Sequence, residues 1–390
     1  MESVFHSHFG CLWKFVIEPR VQLLSLTYER FRNLEQVTLE PSARATIAVG
    51  ENGQGKTNLL EGLYFLATLK ALRANRLAEL IRFGAETARV SGRFRLQGAE
   101  RDISVDILPK SRAAFVDGKR APSLEAYFGG VSVVAFTPDD LAVVKGGPEG
   151  RRLFLDRTVF NRFPAYLQES REYARALKSR NRLLKENAPH AHLAAWDATL
   201  ACSGARLWAR RRALLVELTG RVHAAFEKIG RTEMPAAFEY SPAHLEGVSF
   251  SAASEDELAQ ALAAQLDSRL PRDAERGFTS VGPHADDLDI ALGDHSARQY
   301  ASQGQARALV LAWKVAEIEN LHATNGFLPL LLLDDVSSEL DPERNAFLMN
   351  YLAESGAQTF LTTTDAGLVQ RAAGADTVWY NVRQGLASRQ

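Results

Sequence analysis

The sequence predicts an α/β protein whose core is assembled from an N-terminal and a C-terminal segment, with an α-helical arm inserted between them. Three observations carry this prediction. A glycine-rich loop lies between a short apolar strand and an apolar-faced helix near residue 50. A second apolar strand, near residue 330, ends in paired carboxylates. Between them, from about residue 160 to 272, turn signals thin out and the apolar period becomes helical.

The first strand-type run is Val21 to Leu26, and Thr46-Ile47-Ala48-Val49 reads as a short buried strand. It feeds Gly50-Glu51-Asn52-Gly53-Gln54-Gly55-Lys56-Thr57, a G-x-x-x-x-G-K-T loop, and Leu59 to Leu69 follows with its apolar residues on one broad helical face. The residue types suit phosphate chemistry. Glycines let successive backbone N–H groups converge on phosphate oxygens, and the helix directs its positive end at them. Lys56 can reach the terminal phosphates, and the Thr57 hydroxyl can ligand Mg²⁺. A tight strand-to-helix turn without a ligand is the bland alternative, and the agreement of motif with context argues against it.

Ala88 to Leu96, Ile103 to Leu108 and Val131 to Phe136 continue the strand pattern. Helices are expected from about Pro164 to Glu186 and from about Ala194 to Ile229; both exceed the usual globular length, which suggests an antiparallel helical hairpin. Strand character returns at Asp287 to Leu292, Leu328 to Leu333 and Gln358 to Thr363, with a helix from Gln305 to Asn320 between the first two. The expected division is therefore an extension over 1–20, an N-terminal core segment over 21–159, the arm over 160–272 and a C-terminal core segment over 273–390.

Composition bounds the partners. A chain of 390 residues with 46% apolar content can fill more than one core. The net charge of −1 means that a nucleic-acid surface has to be a local patch. Two such patches are candidates: Arg171, Arg175, Lys178, Arg180, Arg182 and Lys185, and then Arg206, Arg210, Arg211 and Arg212, each with a solvated charged face as its alternative. Cys11 and Cys202 stand far apart without metal-type spacing, as expected in a reducing compartment, and the histidines form no ligand pattern. The longest apolar run, Phe327 to Leu333, is too short to cross a bilayer, and Lys14 and Glu18 interrupt any leader-like stretch. A cytoplasmic protein with no membrane association is expected.

Leu330-Leu331-Leu332-Leu333-Asp334-Asp335 is the apolar run that ends in acids. In phosphate-loop ATPases such a strand lies beside the one feeding the loop and presents an acid to Mg²⁺. Asp334 is then the metal acid, and Asp335 takes the position that polarises the attacking water. Upstream, Tyr300 to Arg307 contains Ser302-Gln303-Gly304-Gln305, with Ser302 a good helix N-cap. This group resembles the signature motif of ABC-type ATPases, in which it contacts the γ-phosphate held by a second protomer. Ser337-Ser338-Glu339-Leu340-Asp341 resembles the D-loop of the same superfamily. Where ABC transporters carry a switch histidine, this chain has Thr362-Thr363-Thr364-Asp365, so that Thr364 or Asp365 is a candidate γ-phosphate sensor or a plain polar strand end.

Taken together, the blocks resemble the bacterial RecF family from about residue 21 to the end. The matching blocks are Phe31-Arg32-Asn33, Asn52 through Glu61, Thr137 to Leu141, Pro148 to Arg152 with Leu155-Asp156, Gly282-Pro283-His284, Asp286-Asp287-Leu288, Ser302 to Gln305 and Asp334 to Asp341. Ala285 departs from the Arg usual in the Gly-Pro-His block, so any role of that arginine does not carry over. The resemblance implies an ABC-type P-loop ATPase core, similar to that of SMC proteins, with a short helical arm. It also implies ATP and Mg²⁺ as cofactors, an ATP-dependent homodimer with slow hydrolysis as its release step, and binding to single-stranded, gapped and duplex DNA. RecR and RecO are the implied partners, and RecA an indirect one. The implied nucleotide-binding positions are Gly50, Glu51, Asn52, Gly53, Gln54, Gly55, Lys56, Thr57, Asn58, Ser302, Gln303, Gly304, Gln305 and Asp341. Thr57 and Asp334 are implied for Mg²⁺, and Asp335 and Lys56 for catalysis. A transporter nucleotide-binding subunit fits less well, because the switch histidine is absent and the interval between loop and signature is long. A long coiled-coil ATPase lacks the necessary chain length.

Overall fold

The computed structural model describes residues 21–390 except 75, 97, 124–126, 128–130, 231–233 and 246; the extension over 1–20 lies outside the described residues. In chain order come β1 (Val21–Phe31), β2 (Leu34–Leu39), β3 (Ala45–Val49), α1 (Lys56–Thr68), β4 (Ala88–Leu96), β5 (Ala99–Ile107), β6 (Arg112–Val116), β7 (Lys119–Arg120) and β8 (Val133–Phe136). Next are α2 (Pro148–Arg162), α3 (Tyr166–Lys185), α4 (His190–Gly230), β9 (Ala236–Ser241), α5 (Glu255–Ser268), α6 (Leu270–Arg276), β10 (Asp287–Leu292), β11 (His295–Ser296) and α7 (Gln303–Asn325). The chain closes with β12 (Leu330–Asp334), α8 (Pro342–Ser355), β13 (Thr359–Thr363), β14 (Thr377–Arg383) and β15 (Leu386–Arg389). Contacts divide it into two compact units, residues up to Asp139 with Ile318–Gln390, and Asp140–Glu317.

The first unit holds two six-stranded sheets, ordered β2-β1-β4-β5-β6-β7 and β15-β14-β3-β13-β12-β8. The first is antiparallel, and β1 runs on to Phe31, well past the apolar run that betrays its start. Its second half buries Leu26, Tyr28 and Phe31 among polar residues, and a register shift lies between Leu23 and Ser25. In the second sheet β14, β3, β13, β12 and β8 are parallel. Strands β3, β12, β13 and β8 are almost wholly buried, which explains the unbroken apolar runs of β8 and β12, while β13 buries three threonines. Helix α1 touches strands of both sheets and is buried nearly all round, Glu61 included. A Cβ on Gly62 would come within 2.4 Å of the Tyr28 ring, so glycine there lets α1 lie close to β1. Buried Gln358 joins the two sheets, donating to the carbonyls of Leu23 and Ser42 and accepting from the Leu23 amide.

Strand β12 does not lie beside β3; β13 stands between them, and all three are parallel. The acids at the end of β12 therefore meet the loop after β3 only through side chains that reach over the end of β13.

The second unit is wider than the expected arm and is not wholly helical. It contains the antiparallel sheet β11-β10-β9, which closes because β9 follows the long helix and pairs along its whole length with β10. Pairing Arg151 on α2 with Asp287 on β10 at 2.6 Å draws residues on both sides of 160–272 into the same unit. The hairpin of long helices is present as α3 and α4. Ion pairs Glu169–Arg210, Glu172–Arg206 and Asp197–Arg180 rise along one helix as they fall along the other, which makes the pair antiparallel. At its centre Arg180 is fully buried between Asp197 and Asp273, with further bonds to Thr279 Oγ1 and the Leu266 carbonyl.

Candidate nucleotide site

The loop between β3 and α1 has the backbone shape that its sequence demands. Gly53 and Gly55 have φ of 77° and 114°, in the left-handed region that favours glycine. The loop is held from behind. Asn33, in the β1–β2 turn, donates to the Gln54 carbonyl and accepts from the Asn58 side chain, while the Gly385 amide donates to Gln54 O and the Gln384 amide to Gln54 Oε1. A Cβ on Gly50 would meet the Val382 carbonyl, so β14 also packs against the loop. Thus Asn58, an expected nucleotide contact, turns its side chain toward Asn33.

Lys56 is 6% exposed and donates to the Gly50 and Glu51 carbonyls at 2.6 and 2.8 Å, a coil around its own loop. Burial lowers its pKa, while Asp335 and then Asp334 act in the opposite direction. Thr57 Oγ1 donates to Asp334 Oδ1 at 2.8 Å, and Thr362 Oγ1, from the intervening β13, donates to the same oxygen at 2.9 Å. Asp334 Oδ2 accepts from Arg73 at 2.8 Å. The hydroxyl and carboxylate expected to share a cation thus stand within hydrogen-bond distance of each other, with a guanidinium on the other oxygen.

Asp335 sits in a left-handed turn at φ 50°, its amide bonded to Thr362. Its Oδ1 is buried without a hydrogen-bond partner, and burial raises its pKa against the pull of Lys56, with Asp334 adding to the rise. A buried, unpartnered acceptor beside a lysine and a second acid suits the place of a polar reactant. The set therefore fits a magnesium–nucleotide complex: donors for phosphate from the loop, a hydroxyl and a carboxylate for the metal, and a free acceptor beyond them.

The remaining motif residues do local work in the described structure. Asp341 caps α8 by accepting from the Arg344 amide, and Asp365 accepts from the Gly367 amide. In the second unit, Ser302 and Gln305 form a reciprocal cap, the Ser302 amide donating to Gln305 Oε1 and the Gln305 amide to Ser302 Oγ. Ser302 and Gln303 are exposed at the start of α7, with Gly304 half-buried beside them. Sequence reading misses Arg73, Thr362 as a partner of Asp334, and the buttress from Gln384-Gly385. Asn33 had a signal, since it lies in a matched block; Arg73 follows no motif.

The two basic groups separate sharply. Arg206 and Arg210 pair with glutamates of α3, Arg211 is buried against Asp156, Arg212 donates to the carbonyls of Phe250 and Ala253, and Arg180 is internal. These are excluded as a free patch. Arg171, Arg175, Lys178, Arg182 and Lys185 remain exposed at spacings of four, three, four and three residues, one face of α3.

The fold and the loop-and-acid geometry define an ATPase head of the ABC and SMC type. The model of the RecF/RecN/SMC N terminal domain matches residues 22–386. The chain is 67% identical to the DNA replication and repair protein RecF of Myxococcus xanthus (strain DK1622) over 94% of this chain and 96% of that one. It is 56% identical to the RecF of Anaeromyxobacter sp. (strain Fw109-5) over 94% and 99%. Among solved structures, the recombination mediator protein RecF-ATPrS in the RecFOR pathway superposes with a TM-score of 0.85 at 29% identity, covering 95% of this chain and 98% of that one. An SMC head bound to the C-winged helix domain of ScpA shares the fold alone, at a TM-score of 0.53 and 18% identity over 94% and 96%. The chain belongs to the RecF/RecN/SMC family and, within it, to the bacterial RecF proteins. Among the described residues, no helix is long and apolar enough to cross a membrane.

Proposed function

We propose that this chain is an ATP-dependent DNA-binding switch of recombinational repair in the RecFOR pathway. ATP closes a homodimer on single-stranded, gapped or junction DNA, and slow hydrolysis releases it. The observation that carries the reading is the closure of Thr57 on Asp334 behind a glycine loop of phosphate-binding shape, in a chain 67% identical to a RecF.

Each residue then has a defined task. The loop amides from Gly53 to Thr57 bind phosphate oxygens, aided by the N-terminus of α1. Lys56 leaves the carbonyls of Gly50 and Glu51 and turns its ammonium outward. Magnesium, when bound with the nucleotide, supplies charge neutralisation between the phosphates. Thr57 and Asp334 would hold that ion, and Arg73 already bonds the second oxygen of Asp334. Asp335 accepts a proton or hydrogen bond from water in line with the phosphate. Ser302, Gln303 and Gly304, exposed on α7, complete the site of a second protomer, while RecR and RecO act as partners in loading RecA. The exposed stripe of α3 supplies phosphate contacts to DNA.

ATP drives closure only by binding the closed dimer more tightly than the open form. Sedimentation and gapped-duplex binding with ATP, ADP or no nucleotide, for the native chain and Lys56→Met, test this. The native chain should dimerise and retain DNA with ATP alone, and the variant should do neither. Dimerisation indifferent to nucleotide in both would overturn the switch.

A further inference from the structure

Within the second unit a second concave site lies at the end of the α3 stripe. It is an open pocket of about 350 Å³, in the size range that takes a small ligand, and none of its lining residues is acidic. Arg269, Arg272 and Arg276 stand on its rim, at spacings of three and four residues on the α6 side. No ion pair to these three is found among the described residues. Of the two carboxylates on the same helix, Asp273 is turned fully inward to Arg180, and exposed Glu275 does not line the pocket.

The wall is firmly built. Gly277 ends α6 at φ 71° and lies against Lys185, the last residue of the stripe, so close that a Cβ would come within 3.1 Å of Lys185 Cγ. The Thr279 amide and hydroxyl donate to Asn181 of α3. His284 accepts from Tyr173 through Nδ1 and donates to the Thr279 carbonyl through Nε2, and its burial favours this neutral form. Two groups on this rigid wall are left open. Phe278 is 46% exposed beside the arginines, and Ser280 Oγ is buried without a hydrogen-bond partner. Three unpaired guanidinium groups, a spare hydroxyl and a presented aromatic face suit a phosphate with a flat ring next to it.

We infer that this pocket binds one unpaired nucleotide of a single-stranded nucleic acid, its phosphate held by Arg269, Arg272, Arg276 and Ser280 and its base stacked on Phe278. A base within a duplex has no free face to offer, so stacking selects unpaired strand. The exposed stripe from Arg171 to Lys185 covers about 21 Å of helix and leads into the pocket, a track for the backbone of the same strand. The assignment rests on the DNA-binding reading above and adds the place where strand state is read.

The test is fluorescence anisotropy with a labelled oligothymidylate and a labelled duplex, at several salt concentrations with ATP present. Native chain, Phe278→Ala and the triple variant Arg269→Gln/Arg272→Gln/Arg276→Gln are compared, with circular dichroism and fluorescent-ATP binding as checks of folding. Phe278→Ala should weaken oligothymidylate binding about tenfold and leave duplex binding unchanged. The triple variant should lower the salt slope on single strands by roughly 0.7, the share of one phosphate. A 5-iodouracil oligonucleotide irradiated on the native chain should crosslink at Phe278. Native-like affinity and slope in both variants, or crosslinks only elsewhere, overturn the pocket while leaving DNA binding intact. A native chain that binds no DNA in any nucleotide state sinks both readings.

Discussion

Asp335 shows how a single residue carries a functional cost. Its Oδ1 is buried and unpartnered, and burial raises its pKa. A carboxyl whose folded pKa is raised contributes stability below the ordinary carboxylate range and loses it as pH rises through the folded value. At neutral pH the charged form is therefore a burden. Asp335→Asn, which tolerates the left-handed turn, should melt higher than the native chain at about pH 8, by up to about 1 kcal/mol after solvent screening. The difference should shrink toward about pH 4, where the native carboxyl is protonated too. Calorimetry of both proteins without nucleotide, over that pH range, checks it; a variant less stable at pH 8 would refute the account. Asp334 differs from its neighbour because Thr57, Thr362 and Arg73 occupy both of its oxygens. Its motif marks it as a metal acid, but only the folded chain shows a guanidinium where a cation is expected.

At the scale of elements, the arm is held by charges that sequence reading assigned to DNA. Arg180 falls in a basic run on α3, yet its side chain is fully buried with Asp197 and Asp273. Removing it leaves buried Asp273 and half-buried Asp197 without their partner, so Arg180→Met should destabilise the second unit by about 3–5 kcal/mol in chemical denaturation. Arg182→Met, two residues on and exposed, should cost under about 0.5 kcal/mol. Equal effects would remove the distinction. The two arginines are indistinguishable by local composition; their fates are set by the acids on α4 and α6 that the fold brings up. The strands were more legible. Strands β4 and β10 are readable to their ends, whereas β1 is cut short because polar Thr27, Glu29 and Arg30 break up its outer half.

For the whole molecule, the loop and acids lie in one compact unit and the Ser302–Gln305 cap in the other. Each is built without the other: the cap closes on its own backbone, and the loop on its own lysine. Ser302→Arg should therefore bind fluorescent ATP as the native chain does, yet remain monomeric in sedimentation with ATP and fail to turn over. Normal turnover would remove the signature's role across the dimer. The sequence by itself determined the class of fold, the phosphate loop with its acids, and the family, because these rest on contiguous residues whose spacing matches local backbone geometry. Only the tertiary structure decided that β13 separates β3 from β12, that Arg73 holds Asp334, and which arginines face water. Those outcomes depend on side chains far apart in the chain, and on whether a carboxylate lies within reach once the backbone has folded.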